Sequence, residues 1–269
     1  MGFDWRTVIL GAIQGLTEFL PVSSSGHLAL LQMFFDFRSS GLLAFDLLLH
    51  CATMLAVLIF FRQDIVRLLR GWFGGFIAAD ARASEGWSTG WAILAGTFVT
   101  AALALPLKSA VEAAMRSRIF VGVGLLTTAG LLCIVPVLPE RNRKLSIRVA
   151  LFIGFIQGLA VFPGVSRSGS TIMAGLALGL TASDAFRFSF LMSVPAIVGA
   201  SLLGLPDLLR GSVVLPPEWL FSAAVAFVLG WLSLVLLRRL VLSGRWAYFG
   251  IYCFLLGVFA IMSEIVTAF

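Results

Sequence analysis

The stretch QGLTEFLPVSSSGH, Gln14 to His27, begins as an apolar helical pattern and then sets a carboxylate, a proline, three consecutive serines, a glycine and a histidine into apolar surroundings. The wider chain explains why that is unusual. Of its 269 residues 60% are hydrophobic and 12% charged, which excludes an ordinary soluble domain. Apolar runs near the roughly 20 residues needed to cross a bilayer recur along it, so the chain reads as an all-α polytopic membrane protein. Glu18 interrupts what would be the apolar centre of a cleavable signal, so no such signal is expected. Cys51, Cys133 and Cys253 lie in apolar runs without metal-ligand spacing and are expected to be small buried hydrophobes without a disulfide.

Six segments are long enough to span: about 42–61, 91–107, 119–138, 185–205, 219–237 and 246–266. Two other apolar regions, 5–37 and 147–182, are each cut in two by a Pro/Gly/Ser-rich patch. Their halves reach only roughly 15–27 Å at ~1.5 Å per residue, mostly short of a ~30 Å hydrocarbon layer. Each region is therefore expected to form a re-entrant helical hairpin.

The two hairpins are related. At an offset of 143 residues Gln14-Gly15-Leu16 falls on Gln157-Gly158-Leu159, Phe19 on Phe162, and Val22, Ser23, Ser25 and Gly26 on Val165, Ser166, Ser168 and Gly169. Seven or more identities in a fourteen-residue window without a gap make chance a poor explanation. The chain is then two units, 1–138 and 139–269, each with one hairpin and three spans. Three is odd, so the second unit enters with opposite orientation, giving an inverted-topology repeat. In that topology the segments 62–90, 139–148 and 238–245 share a face carrying eleven Arg and Lys, against six on the other. The positive-inside rule makes the richer face cytoplasmic. The hairpins enter from opposite sides, and their broken tips should meet near the midplane, where irregular backbone must be buried in protein or line a cavity.

The polar residues collect at those tips: Ser23, Ser24, Ser25 and His27 on the first, Ser166, Arg167, Ser168, Ser170 and Thr171 on the second. Helix N-termini after Gly/Ser loops offer N–H groups and positive dipole ends, and an arginine offers a planar fork suited to phosphate oxygens. The expected ligand is an oligoanion. A carboxylate beside it, Glu18, points to a metal ligand or a proton-transfer group. Asp46 and His50, four apart on one helical face, can pair with or orient one another and are expected to support the site from behind, as is Gln14. Trp5, Trp87 and Trp91 read as interfacial anchors.

At these residues the sequence resembles the undecaprenyl-diphosphate phosphatase family, integral membrane enzymes also known from bacitracin resistance. QGLTEFLPVSSSGH is similar to the family's first motif, and PGVSRSGST, Pro163 to Thr171, to its second. The resemblance implies hydrolysis of the terminal phosphate of a C55 polyprenyl diphosphate with Mg²⁺ or Ca²⁺, regenerating the carrier lipid used for peptidoglycan and other envelope glycans. It implies a bacterial plasma-membrane location with the cavity open to the extracytoplasmic side. The implied partners are the lipid diphosphate and the bilayer, with no nucleic acid and with a second copy of the chain as a candidate dimer partner. It further implies that Arg167 grips the diphosphate, Glu18 holds the cation, and His27 serves as acid or base. Ser23, Ser25, Gly26, Ser166, Ser168 and Thr171 would contact substrate. A nearby serine attacks phosphorus, Ser24 being favoured over Ser23 and Ser25, with water attack assisted by His27 left open. Where many members carry a glutamate this chain has Gln14, which leaves Glu18 as the first motif's only carboxylate.

Two rivals stand beside that reading. Inverted repeats with broken helices are also the architecture of secondary transporters and would suit a polyprenyl-phosphate flippase. A lipid phosphatase of the acid-phosphatase superfamily fits poorly, because the chain has no Arg-Pro dipeptide and neither histidine has an aspartate four residues later.

Overall fold

In lipid a backbone can satisfy its polar groups locally only as helix, and the apolar runs of this chain do so. The structure is a computed structural model that describes residues 3–35, 42–135, 138, 141–210 and 216–267. Among them are twelve α-helices and no strand. The first broken region is α1 (Trp5–Phe19) and α2 (Ser24–Phe34). Then follow α3 (Leu42–Phe60), α4 (Arg62–Ile77), α5 (Glu85–Ala104), α6 (Lys108–Ala114) and α7 (Arg118–Ile134). The second broken region is α8 (Ile147–Leu159) and α9 (Arg167–Ala177), followed by α10 (Ala182–Arg210), α11 (Pro217–Leu242) and α12 (Ala247–Thr267). The 143-residue offset read from the sequence also separates Ser24 and Arg167, the first residues of α2 and α9.

Four helices are individually long and apolar enough to cross a membrane, and six if each of two bent pairs counts as one span. The chain is thus a multi-pass membrane protein. The boundaries differ from expectation in two places. Residues 62–90, expected as a loop, hold α4, a 3₁₀ turn at Asp80–Ala83 and the start of α5. α4 leaves α3 through a 75° bend, and its Arg62, Arg67 and Arg70 depress the hydropathy that marks a span, while its Trp72, Phe73 and Phe76 remain apolar. α5 starts at Glu85 rather than 91 because Ser84 caps it, its side chain accepting from the Trp87 N–H. Cys253 is buried as expected, whereas Cys133 is exposed on the outer surface of α7.

Small residues let the broken regions pack tightly against long helices. α1 lies on α11 with Gly15 against the Ala226 backbone, where a Cβ would come within 2.6 Å of the carbonyl oxygen. α8 lies on α5 in the same manner, Gly154 against Gly96. Beneath the first tip an aromatic cluster of Phe19, Phe61, Phe186 and Phe190 fills the core, with the Phe19 and Phe190 rings 5.7 Å apart edge to face.

Candidate active site

Both helix breaks end in a serine cap. Ser23 caps α2, its Oγ accepting from the Gly26 N–H, and Ser166 caps α9, its Oγ accepting from the Gly169 N–H. The two breaks touch. The Gly164 N–H donates to Ser23 Oγ at 3.1 Å, Gly26 lies against the Gly164 backbone, and Gly169 against the Pro21 side chain. Thr128 of α7 staples the second break by donating to the Gly164 carbonyl (2.8 Å) and accepting from the Ser166 N–H (2.9 Å). Each break contains one left-handed residue. In the second it is Gly164 at φ +90°, where a Cβ would also meet the Val121 carbonyl; in the first it is Ser23 at φ +68°, a strained choice costing about 1–3 kcal/mol.

The breaks carry a compact charged cluster on their shared edge. Arg167 Nη2 donates to Glu18 Oε1 at 2.6 Å, and Ser24 Oγ donates to Glu18 Oε2 at 2.6 Å. Gln14 Nε2 donates to the same Oε2 at 3.0 Å, and His50 Nε2 stands 3.9 Å from it. The Glu18 side chain is 5% exposed and that of Arg167 20%, so each charge depends on the other, and deleting one partner of such a pair costs about 3–5 kcal/mol. Arg167 Nη1 is buried without a hydrogen-bond partner among the described residues, leaving donors free for a ligand oxygen.

These side chains face a cavity of about 350 Å³. Glu18, Ser23, Ser24, Ser25, Ser166 and Arg167 form one wall with His50. Thr97, Thr100 and Gln157 add polar groups to the lining, and among the described residues Gln157 Oε1 and Thr97 Oγ1 lack partners. The remaining walls are largely small and apolar, including Ala101, Ala104, Ala196 and Ala200. A polar end with apolar walls suits a phosphorylated lipid better than a free sugar or nucleotide.

Several residues proposed from the sequence lie elsewhere. His27 is buried, is not part of the cavity lining, and has both ring nitrogens engaged: Nδ1 with the Ser23 carbonyl and Nε2 with the Tyr252 hydroxyl, each at 2.7 Å. Thr171 is buried behind the cluster, bonded to the Arg167 carbonyl and to Ser189 Oγ. Ser168 is buried between Ser166 Oγ and the Leu20 carbonyl, and Gly26 packs on Gly164. Asp46 and His50 are linked through the Asp46 backbone carbonyl, which accepts from His50 Nδ1 at 2.8 Å. The Asp46 carboxylate accepts instead from Gln32. His50, expected behind the site, is in its wall. Tyr252, Thr128 and Gln157 were not assigned from sequence. Only Gln157 carried a signal, as the repeat counterpart of Gln14.

The donor set bears on a divalent cation. Glu18 is the only carboxylate in the cavity wall, and no cluster of three His, Cys, Asp or Glu occurs among the described residues. One carboxylate cannot hold Mg²⁺ or Ca²⁺ by itself, but it fits a cation whose other ligands are substrate phosphates and water. Gln14 Oε1, buried without a partner beside Glu18, is a further oxygen of the right kind.

Helices long and apolar enough to cross a bilayer, enclosing a carboxylate, a serine and an arginine in contact where two helix breaks meet, define a multi-pass membrane protein with a polar centre inside it. Residues 7–259 match the family described as bacitracin resistance protein BacA, and the chain belongs to that family. Among curated relatives it is 46% identical to the undecaprenyl-diphosphatase of Desulfosudis oleivorans, over 93% of this chain and 94% of that one. It is 40% identical to the undecaprenyl-diphosphatase of Korarchaeum cryptofilum (96% and 98% covered) and 38% to that of Methanosphaera stadtmanae (96% and 97%).

Proposed function

We propose that this chain is an undecaprenyl-diphosphate phosphatase, hydrolysing the C55 diphosphate to the monophosphate and inorganic phosphate. The observation that carries the reading is the contact of Ser24, Glu18 and Arg167 where the two helix breaks meet. The transporter or flippase reading gains no support from those relatives.

The chemistry follows from the donor directions. Ser24 Oγ already gives its hydrogen to Glu18 Oε2, so Glu18 is placed to take the proton as Oγ attacks the terminal phosphorus. The bridging P–O bond breaks and the prenyl monophosphate leaves. Arg167 turns its unpaired Nη1 to the phosphoryl oxygens, and the N-termini of α2 and α9 add positive dipole ends. Water, giving its proton to His50, then attacks the phosphoserine; the Ser24 Oγ–P bond breaks, inorganic phosphate leaves, and Ser24 Oγ recovers the proton from Glu18. We assign the acid–base histidine of the cavity to His50 rather than His27. With Nδ1–H committed to a backbone carbonyl, its Nε2 is the atom turned toward Glu18. The pair Glu18 and Arg167 is neutral as a unit, so a diphosphate needs further positive charge; a Mg²⁺ or Ca²⁺ held by Glu18 and the substrate's phosphates supplies charge neutralisation when bound.

The two broken helices fit re-entrant hairpins of an inverted repeat, units 1–138 and 139–269, in the plasma membrane with the cationic segments cytoplasmic and the cavity extracytoplasmic. The matching α1–α11 and α8–α5 packing supports the repeat. Ala83→Cys and Asn142→Cys, in a chain lacking its three native cysteines, test the orientation: both should react with an impermeant thiol reagent only from the cytoplasmic side, and reaction from outside would reverse it. For the activity, purified protein incubated with C55 diphosphate, with and without chelator, should release inorganic phosphate; no release with any divalent cation would remove the enzyme reading.

A further inference from the structure

Ser23 is the one strained residue beside the nucleophile, and what holds it is a histidine from the helix it caps. Ser23 sits at φ +68° and immediately precedes Ser24, so its backbone sets the direction in which Ser24 Oγ leaves α2. Its carbonyl can only accept, so the neutral His27 ring must carry its hydrogen on Nδ1, donating at 2.7 Å. Nε2 is then an acceptor, and the Tyr252 hydroxyl donates to it, also at 2.7 Å. The two rings stack, 9° from parallel with centroids 5.6 Å apart. Tyr252 belongs to α12 and is 47% exposed, while His27 is 6% exposed. His27 therefore has neither a free nitrogen nor a path to the cavity.

We propose that Tyr252 and His27 form a positioning relay: Tyr252 anchors the His27 ring through Nε2, and His27 Nδ1–H clamps the Ser23 carbonyl so that the strained turn presents Ser24 to Glu18. Neither residue exchanges a proton with substrate. The opposite tautomer would set an Nδ1 lone pair against the Ser23 carbonyl oxygen and release the turn, so that carbonyl selects Nδ1–H, while the Tyr252 O–H, donating to Nε2, holds the ring in place. The inference rests on the Ser24 reading above, and α12 becomes part of the active-site scaffold.

The test uses the full-length protein in detergent and phosphate release from C55 diphosphate. His27→Asn keeps an N–H donor close to the position of Nδ1 but has no counterpart of Nε2, whereas His27→Ala keeps neither. His27→Asn should retain activity within roughly 10-fold of the parent while His27→Ala loses on the order of 100-fold, mostly in kcat. Tyr252→Phe should lower kcat roughly 5-fold in the parent without changing the shape of its pH profile. In the His27→Asn background it should have no effect, because the acceptor it served is gone. His27→Asn as inactive as His27→Ala, or a Tyr252→Phe loss of equal size in both backgrounds, would overturn the relay. A Ser24→Ala protein with parental activity would instead remove the nucleophile reading on which it rests, so the two failures are separable.

Discussion

The two helix breaks share a plan and differ in their chemistry. Both end in a serine-capped eleven-residue helix, both contain one left-handed residue, and each lies against the other. At the 143-residue offset, however, Ser24 corresponds to Arg167, Glu18 to Val161, and His27 to Ser170. In the proposed mechanism the first break supplies the nucleophile and its base, and the second the cation that pairs with the base and receives the phosphate. The left-handed position falls to a glycine in the second break and to a strained serine in the first. There the extra cost is met by hydrogen bonds to both its carbonyl and its hydroxyl. Two breaks of like plan thus meet in one polar cluster because their side chains are complementary.

The largest effect expected from breaking that complementarity is at Arg167. Arg167→Ala removes the fork and strands Glu18 as an unpaired buried charge, so phosphate release should fall on the order of 10³-fold or more. Arg167→Lys keeps the charge without the fork and should still lose roughly 10- to 150-fold. Parental turnover in the lysine variant would make Arg167 a point charge only.

Glu18 comes next, and metal separates its two roles. Glu18→Gln should lower kcat by ~10²–10⁴-fold as the base is lost. If Glu18 also binds the cation, raised Mg²⁺ or Ca²⁺ should restore part of the activity, and Gln14→Glu should lower the metal concentration needed in the parent. A Glu18→Gln enzyme indifferent to metal, with an unchanged requirement in Gln14→Glu, would confine Glu18 to proton transfer.

The smallest effect sharpens the contrast between His27 and its counterpart. Ser170 Oγ is buried without a partner among the described residues, so Ser170→Ala should change activity less than 2-fold and leave stability within about 0.5 kcal/mol of the parent. A large loss measured by phosphate release or thermal unfolding would show a hidden ligand at that hydroxyl.

Much of this was legible in the sequence, for physical reasons that can be named. Broken apolar runs can be read because Pro, Gly and Ser interrupt helices wherever they cluster; the structure has the breaks at 20–23 and 160–166, and α2 and α9 begin at Ser24 and Arg167, inside the polar patches rather than after them. Arg167, Glu18 and Ser24 stand out because polar groups in apolar surroundings need partners, and they partner one another. α4 does not read as a span because Arg62, Arg67 and Arg70 come ahead of Trp72, Phe73 and Phe76, and hydropathy alone takes such an amphipathic helix for a loop. The choice between the two histidines depends on side-chain direction. His27 lies three residues after Ser24 but folds back to the carbonyl four residues before it in the chain, whereas His50, on another helix, is turned toward Glu18 by tertiary packing. Tyr252 left no local signal at all, since its partner is 225 residues away.

The central claim, that the first break supplies the attacking hydroxyl and the second the phosphate clamp, is tested most directly by acid-quenching the enzyme during turnover of diphosphate labelled in its terminal phosphorus. The label should appear on the peptide carrying Ser24 and be absent in both Ser24→Ala and Arg167→Ala proteins. Release of labelled phosphate at the parental rate by Ser24→Ala would contradict it.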